Sequence, residues 1–171
     1  MSTSRATVSI KVDILQASAS PLGGGGQWGV NHDFVYGPGS GASQFEVGVR
    51  ISSSIGAASF STLDIVDNEI DLLNNGLAGP FPPSLRNVRA IVIEWPETAD
   101  GILEVSPSSS TPWRAFLKDA TDVLKLEPGA VFVIARKGVG YAIDASAQSI
   151  DLTNTGSVAA DAVVTLIGQI T

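Results

Sequence analysis

The chain contains no cysteine, one histidine and one methionine in 171 residues. Without cysteine it has no disulfide framework, no thiolate nucleophile and no cysteine ligands for zinc or an iron–sulfur cluster. Long apolar runs are also missing: the longest, residues 130–135 and 162–168, fall far short of the about 20 residues that cross a bilayer. The first residues lack the apolar stretch of a secretory signal, so we expect synthesis and folding in a cytoplasm.

Positive charge is scarce as well. The chain has 10 Lys and Arg against 17 Asp and Glu, a net charge of −7, and Arg136-Lys137 is its one adjacent basic pair. Binding to nucleic acids or anionic membranes rests on clustered positive charge, so the sequence predicts neither partner. Charged residues make up only 16% of the chain, which indicates that some of the surface is uncharged, made of Ser, Thr, Asn, Gly and Ala, or is covered by neighbours.

The single histidine, His32, is followed by Asp33. A histidine oriented by a carboxylate is a common general base. Neighbouring residues of a strand lie on opposite faces, however, so Asp33 is poorly placed to orient His32. No serine has the Gly-x-Ser-x-Gly surroundings of a hydrolase nucleophile. We therefore interpret His32 as a surface residue, name no catalytic residue and expect no enzyme activity.

Four carboxylates lie within eight residues, at Asp64, Asp67, Glu69 and Asp71. They are the candidate metal ligands of this chain, because Ca²⁺ prefers carboxylate oxygens. Their spacing does not match an EF-hand loop. On a strand, the last three share one face, so the alternative is a solvated strand face opposite a buried one. The sequence therefore predicts no required metal and no cofactor.

Two further features allow ligand binding without requiring it. The four glycines at 23–26 lack the following Lys-Ser/Thr of a phosphate-binding loop, so a flexible connection is the simpler interpretation. Aromatic residues suited to stacking on sugars are dispersed along the chain, at Trp28, Tyr36, Trp95, Trp113 and Tyr141. Their alternative role is packing in the core or at an interface.

Alternation of apolar and polar residues with a period of two predicts strands along most of the chain. It is clearest at residues 7–15 and 45–51. Further strands are predicted at 28–36, 60–73, 88–95, 102–105, 122–126, 130–135, 141–144, 149–153 and 162–170. Residues 113–118 are the one candidate for a helical turn. The pattern indicates an all-β, antiparallel β-sandwich that is jelly-roll-like, with about nine or ten strands and minimal helix.

The domain organisation is expected to be simple. Residues 1–6 form a polar N-terminal arm, and residues 7–171 form a single β-sandwich domain. Glycine and proline predict irregular loops at 21–26, 37–41 and 79–83, and residues 52–58 are predicted to be small and flexible. The turn at Asp100-Gly101 predicts a hairpin between strands 88–95 and 102–105.

The C-terminal half resembles a known group of proteins. The segments that carry the resemblance are 119–129, the apolar run 130–135, then 140–143, 149–156 and 163–168. This series of strands and turns is similar to small β-sandwich capsid decoration, or cement, proteins of tailed bacteriophages, over about residues 85–171. The resemblance implies a jelly-roll-like fold and brings no catalytic residues with it.

The sequence therefore predicts a non-enzymatic structural virion protein that binds the outside of a phage capsid and stabilises it. Its expected partners are the major capsid protein and further copies of itself, as a homodimer or homotrimer, after synthesis in the host cytoplasm. The alternative is a carbohydrate-binding or receptor-binding β-sandwich module of a phage tail or extracellular protein. An enzyme of unknown type ranks last, and the fold class alone does not separate the three.

Overall fold

The computed structural model describes residues 6–16, 26–38, 44–45, 47–65, 87–114, 116–144 and 146–169. These residues contain strands, turns and bends, and no helix. The strands are β1 (Ala6–Gln16), β2 (Gly26–Pro38), β3 (Gln44–Phe45), β4 (Val47–Ile55), β5 (Ser59–Asp64), β6 (Asn87–Glu94), β7 (Leu103–Pro107), β8 (Leu124–Leu126), β9 (Val131–Ala135), β10 (Tyr141–Ala142), β11 (Ser149–Asn154) and β12 (Ala160–Gln169). The predicted all-β class is confirmed.

Nine of these strands form two antiparallel sheets. Sheet 1 has the order β10-β6-β12-β4, with β9 also paired to β6, and sheet 2 has the order β5-β11-β7-β8. The strands β1, β2 and β3 form a separate three-stranded sheet, in which β1 and β2 are antiparallel and β3 adds a short parallel pairing. The two larger sheets share one core, so the predicted β-sandwich is confirmed.

The strands of the sandwich pair in a nested order. The strands β9 and β10 lie end to end on one edge of β6, because β9 pairs with residues 90–94 and β10 with residues 87–88. Counted as one strand, they leave eight positions, and the first strand, β4, pairs with the last, β12. Inside that pair, β5 pairs with β11, β6 with β9 and β10, and β7 with β8. Along the sequence, the two strands of each inner pair therefore lie between the two strands of the pair outside it.

The core lies between the two sheets. Ile91 and Val164 from sheet 1 and Val105 and Leu152 from sheet 2 are fully buried in one cluster. Their neighbours along each strand lie on the outer faces, because side chains alternate across a strand. Each buried aliphatic side chain contributes about 1.5–3 kcal/mol relative to an exposed one, so this interior is the main source of stability.

The two ends of the sandwich differ. Short connections at 56–58, 95–102, 127–130 and 155–159 meet at one end, here the arch end. The long segment 108–123 and the connection 143–148 lie at the opposite end, here the loop end, where β3 also leads into β4. The chain therefore has more surface for ligands at the loop end than at the arch end.

Several sequence predictions are corrected by the structure. The hairpin between strands 88–95 and 102–105 is wrong: β6 lies in sheet 1 and β7 in sheet 2, and the connection crosses between them with Trp95 buried in the core. Residues 52–55, predicted to be flexible, belong to β4 because they pair with β12. Gly37 and Pro38, predicted to be in a loop, end β2 and pair with β3. Of the candidate helical turn at 113–118, the described residues 113, 114 and 116–118 are not helical.

Candidate functional site

The outer face of sheet 1 is unusually apolar for a surface. Ile91 and Ile93 of β6 are buried in the core, so Val92 between them lies on the outer face. Its neighbour across to β9 is Val133, and its neighbour across to β12 is Thr165. Here the aliphatic face denotes the outer residues Val92, Val131, Val133, Val163 and Ile167, which span three adjacent strands.

The aliphatic face is open to solvent. Val131 is 56% exposed, and Val92, Val133, Val163 and Ile167 are half-buried. Glu94 lies on this face between Val131 and Val163, and the Arg50 guanidinium lies 4.0 Å from its carboxylate across β12. Surface pairs of this kind contribute little to stability. The aliphatic residues therefore surround Glu94 and Thr165 on three adjacent strands, and this exposed apolar surface is a candidate for contact with another protein.

The outer face of sheet 2 has the opposite character. Glu104 and Lys125 form an ion pair of 2.8 Å between β7 and β8. This pairing raises the pKa of Lys125, mainly through its hydrogen bond to Glu104. The Thr62 hydroxyl donates to the Asp151 carboxylate at 2.7 Å. Sheet 2 therefore presents a hydrated face, although Phe60 is exposed on its edge strand, and the two faces of the sandwich are unlike.

A cleft of about 530 Å³ lies at the loop end. It is lined by Pro112, Trp113, Arg114, Arg136, Gly140, Tyr141, Ala142, Ser146 and Ala147. The lining therefore joins the segment after β7 to the segment around β10. Its volume falls within the range of small-molecule sites.

The cleft depends on an interruption between β9 and β10. Residues 136–140 leave the edge of β6 and rejoin it, and Arg89 is the one residue of β6 opposite this excursion. The Arg136 N–H still bonds to the Arg89 carbonyl at 2.8 Å. Gly140 has φ of 83°, and a Cβ there would meet the carbonyl of Val88 at 2.6 Å, so this position requires glycine. The excursion places Arg136 at the cleft.

Aromatic side chains form the inner wall of the cleft. Trp113 is buried, its indole N–H donates to the Ala142 carbonyl at 2.9 Å, and its ring meets Phe116 and Tyr141 edge to face. The Arg136 guanidinium lies 5.3 Å from the centre of the Tyr141 ring. Arg114 and Arg136 both line the cleft with these aromatic residues, and the Arg136 guanidinium donates to the Gly140 carbonyl at 3.2 Å. Such an arrangement suits an anionic group such as a carboxylate.

The aromatic residues predicted as a sugar-stacking platform do not gather on one described surface. Trp95 is buried, and its indole N–H donates to the Gly101 carbonyl at 2.7 Å at the arch end. Trp113 and Tyr141 meet at the loop end. Trp28 and Tyr36 belong to β2, where they pair with Ile14 and Ala6. Of these five residues, the described structure brings together only Trp113 and Tyr141.

The structure describes only some of the other predicted site residues. His32 and Asp33 pair with Ile10 and Ser9 in the β1–β2 ladder. Asp64 ends β5 and pairs with Ser149. Asp67, Glu69 and Asp71 lie outside the described residues, as do loop residues 21–25 and 79–83. Within the described part of the chain, no three His, Asp or Glu residues are grouped to hold a metal ion.

The aliphatic face was not among the sequence predictions, although the apolar residues of β6 indicate it. Residues 88–93 of β6 are apolar apart from Arg89, with no period-two alternation. A strand that is apolar on both faces is expected to be covered on both faces. The cleft had no comparable signal, because its lining comes from segments more than twenty residues apart.

No helix in the described part of the chain is long and apolar enough to span a membrane. Comparison of the sequence with protein-family models finds no match. Comparison with curated proteins finds none either. The function is therefore inferred from the surfaces of the chain itself.

Proposed function

We propose that the chain is a non-enzymatic structural protein of a tailed-phage virion, which binds the outside of the capsid and stabilises it. The major capsid protein and further copies of the chain are its partners, and the capsid surface is its location. The observation that carries this proposal is the aliphatic face of sheet 1. A β-sandwich whose two outer faces differ, one hydrated and one apolar, is suited to lying with its apolar face on another protein.

The strand order supports the same proposal. We infer that the nested pairing of the eight strand positions is a jelly-roll topology, which is built from two Greek keys. Jelly rolls occur in viral capsid proteins and in lectins. This support is an analogy of fold. It favours a capsid protein or a sugar-binding module over an enzyme, and it does not decide between the first two. The resemblance to phage decoration proteins at residues 85–171 covers β6 to β12 and favours the capsid.

The contact area fits many weak sites better than one strong site. Three strands about 4.8 Å apart and five residues long cover roughly 200–250 Å². A stable pair of proteins buries about 800 Å² on each partner, so the aliphatic face alone would bind weakly. A capsid offers many equivalent sites, and linked copies of the chain would bind several at once, which raises the overall affinity.

The test is co-sedimentation with capsids of the phage whose genome encodes the chain. Wild-type protein should sediment with the capsids and saturate at a fixed number of copies. Val92→Lys places a charge in the centre of the aliphatic face and should weaken binding at least tenfold. Thr153→Lys is the matched control, because Thr153 is half-buried on the outer face of a central strand of sheet 2. Equal binding of both variants would contradict the proposal.

The cleft favours a second candidate function, a carbohydrate-binding or receptor-binding module. Arg114 and Arg136 would hold an acidic group against the aromatic wall. Retention on an immobilised acidic polysaccharide, lost in Arg136→Ala, would support this candidate. The wild-type chain should pass unretained if the capsid proposal is correct and the cleft binds no sugar.

A further inference from the structure

The sheet formed by β1 and β2 is a long ribbon built from the N-terminal part of the chain. All 11 residues of β1 pair with β2, from Ala6 opposite Tyr36 to Gln16 opposite Gly26. Among the described strands, the extensive contacts of this ribbon are between β1 and β2 and between β2 and β3, which has two residues. A two-stranded ribbon is at best marginally stable in water without further packing.

The register divides the ribbon into two chemically different sets of positions. In one set, Val8, Ile10, Val12 and Ile14 stand opposite Phe34, His32, Val30 and Trp28. In the other set, Ser9, Lys11 and Asp13 stand opposite Asp33, Asn31 and Gly29, and this set ends in the pairs Thr7–Val35 and Leu15–Gln27, which each contain one apolar residue. Alternate positions of an antiparallel ladder share a face, so the first set makes one ribbon face apolar except for His32.

The ribbon also has unpaired edges within the described structure. The sheet order is β1-β2-β3, so no described strand pairs with the second edge of β1. The second edge of β2 pairs with β3 only at Gly37 and Pro38. Unpaired edges of this length are a template for pairing with another chain.

We propose that the ribbons of three copies of this chain close into a six-stranded antiparallel barrel on a three-fold axis. The free edge of β1 in one copy pairs with the free edge of β2 in the next copy. The strands then alternate in direction around the barrel, as they do within each ribbon. Every apolar ribbon face lies inside the barrel, and no ribbon edge remains open along the paired length.

The number of copies follows from closure. A two-copy ring has four strands, and such a narrow barrel has no interior for the seven apolar residues and His32 from each copy. An eight-stranded barrel already has an interior just wide enough for side chains, so six strands give a tightly filled one. Three is therefore the smallest number of copies that closes the edges around the apolar positions, and cyclic symmetry makes all three contacts equivalent.

The apolar faces supply part of the buried area that a stable assembly needs. A face of 11 residues in two strands measures about 37 by 10 Å, so each copy buries roughly 350 Å². Three copies together bury about 1,000 Å² of this face, which is less than the about 1,200 Å² that the smallest specific interfaces bury between two proteins. The three new strand pairings add contact area and hydrogen bonds beyond that figure. Packing of two ribbons face to face would bury only about 700 Å² and leave all edges open.

The first test is the mass of the full chain in solution, measured by sedimentation equilibrium. The wild type should be a trimer. Ile10→Lys places a charge in the apolar set and should weaken association at least tenfold, whereas Ser9→Lys, one residue away in the polar set, should leave the trimer intact. A wild-type monomer, dimer or tetramer would overturn the proposal, and so would an Ile10→Lys variant that is fully trimeric.

Cross-linking keeps the proposal testable if Ile10→Lys fails to fold. The chain has no cysteine, so single substitutions report one contact each. Copies carrying Ser9→Cys are mixed with copies carrying a cysteine on β2, at Gln27, Asn31 or Asp33 in turn, and oxidised. Disulfides between the two kinds of copy at one or more β2 positions support pairing of β1 with β2 of another copy. Cross-links only between two Ser9→Cys copies indicate an isologous dimer and overturn it.

This inference stands apart from capsid binding. The trimer is measured in solution without capsids, and Val92→Lys should not affect it because Val92 lies on the aliphatic face of the sandwich. Loss of capsid binding with an intact trimer would count against the proposed function alone. A wild-type monomer that binds capsids would count against the barrel alone.

Discussion

The Asp100 carboxylate accepts hydrogen bonds from both the hydroxyl and the backbone N–H of Ser157. It also accepts one from the N–H of Val158 at 3.3 Å. Asp100 lies between β6 and β7, whereas Ser157 lies between β11 and β12. One exposed carboxylate thereby fastens together two connections at the arch end that are far apart in the sequence.

This contact predicts a pH-dependent stability. The hydrogen bond from the Ser157 side chain is the main cause that lowers the pKa of Asp100 below its ordinary value of 3.8. A lowered folded pKa means that the carboxylate stabilises the fold above about pH 3.8, and that this contribution is lost as the pH falls through the folded pKa. Asp100→Asn should lower the Tm at neutral pH. The difference in Tm from the wild type should shrink as the pH falls below about 3.8.

Asp144→Asn is the matched control for this prediction. The Ser146 side chain likewise lowers the pKa of Asp144, but this carboxylate bonds within its own turn. Its removal should change the Tm less than removal of Asp100. Melting curves followed by circular dichroism between pH 2.5 and 7 measure both. A Tm difference for Asp100→Asn that persists undiminished at the lowest pH would contradict the assigned role of the charge.

Asn154 should be the most sensitive polar residue of the arch end. It is fully buried; its amide donates to the Val158 carbonyl at 2.8 Å, and its oxygen accepts from the Gly156 N–H at 2.8 Å. Asn154→Ala removes both bonds and leaves the buried Gly156 N–H without this acceptor; a buried unsatisfied group costs about 1–3 kcal/mol, and the lost bond to Val158 adds to it. Urea unfolding should show a loss of roughly 2–4 kcal/mol. Thr155→Ala, which removes hydrogen bonds to Ile102 at an exposed position, should cost clearly less.

Glycine is required where two arches touch. A Cβ on Gly101 would collide with the backbone nitrogen and Cα of Gly156, whereas a Cβ on Gly56 would make ordinary contacts with Ser59 at 3.5 Å. Gly101→Ala should therefore lower the free energy of unfolding by at least about 2 kcal/mol, the range of overpacking and backbone shifts. Gly56→Ala should change it by less than about 1 kcal/mol. Similar losses in the two variants would show that the arches do not meet as described.

The buried Arg89 should depend on Gln169. The guanidinium of Arg89 is 1% exposed and donates to the Gln169 side-chain oxygen at 2.6 Å, which joins β6 to β12. Hydrogen bonds to charged groups contribute about 1.5–3 kcal/mol. Gln169→Leu should reduce the free energy of unfolding by that amount, as measured by urea titration. An unchanged midpoint would show that other partners of Arg89 suffice.

Many of the strands could be predicted from sequence because alternation is a local signal. The period of two at 7–15 gave β1 to within one residue at each end. Pairing was harder to predict: the Asp100-Gly101 turn suggested a hairpin, yet the chain there crosses between sheets. The path of this connection depends on Trp95, which is buried and whose indole N–H donates to the Gly101 carbonyl, so that the connection passes over the core. Such contacts are not visible as a pattern along the chain.

The candidate surfaces were less predictable than the fold. The cleft joins Arg114 to Arg136 and Tyr141 through an excursion that needs Gly140 at positive φ, and no spacing rule marks it in advance. The aliphatic face, in contrast, follows from the apolar residues of β6 once both faces of that strand are considered. The acidic cluster from Asp64 onward stays a prediction beyond Asp64 itself, because the rest lies outside the described residues.

Stabilisation of the capsid by this chain is tested most directly by the thermal stability of capsids to which the chain is bound. Capsids from phage lacking its gene are heated with and without added wild-type protein, and genome release is followed by dye fluorescence. If the chain stabilises capsids through the aliphatic face, bound wild-type protein raises the temperature of genome release in proportion to its occupancy. Thr153→Lys should raise this temperature equally, and Val92→Lys should not raise it. Saturating binding of the wild type with no change in release temperature would contradict stabilisation of the capsid by this chain.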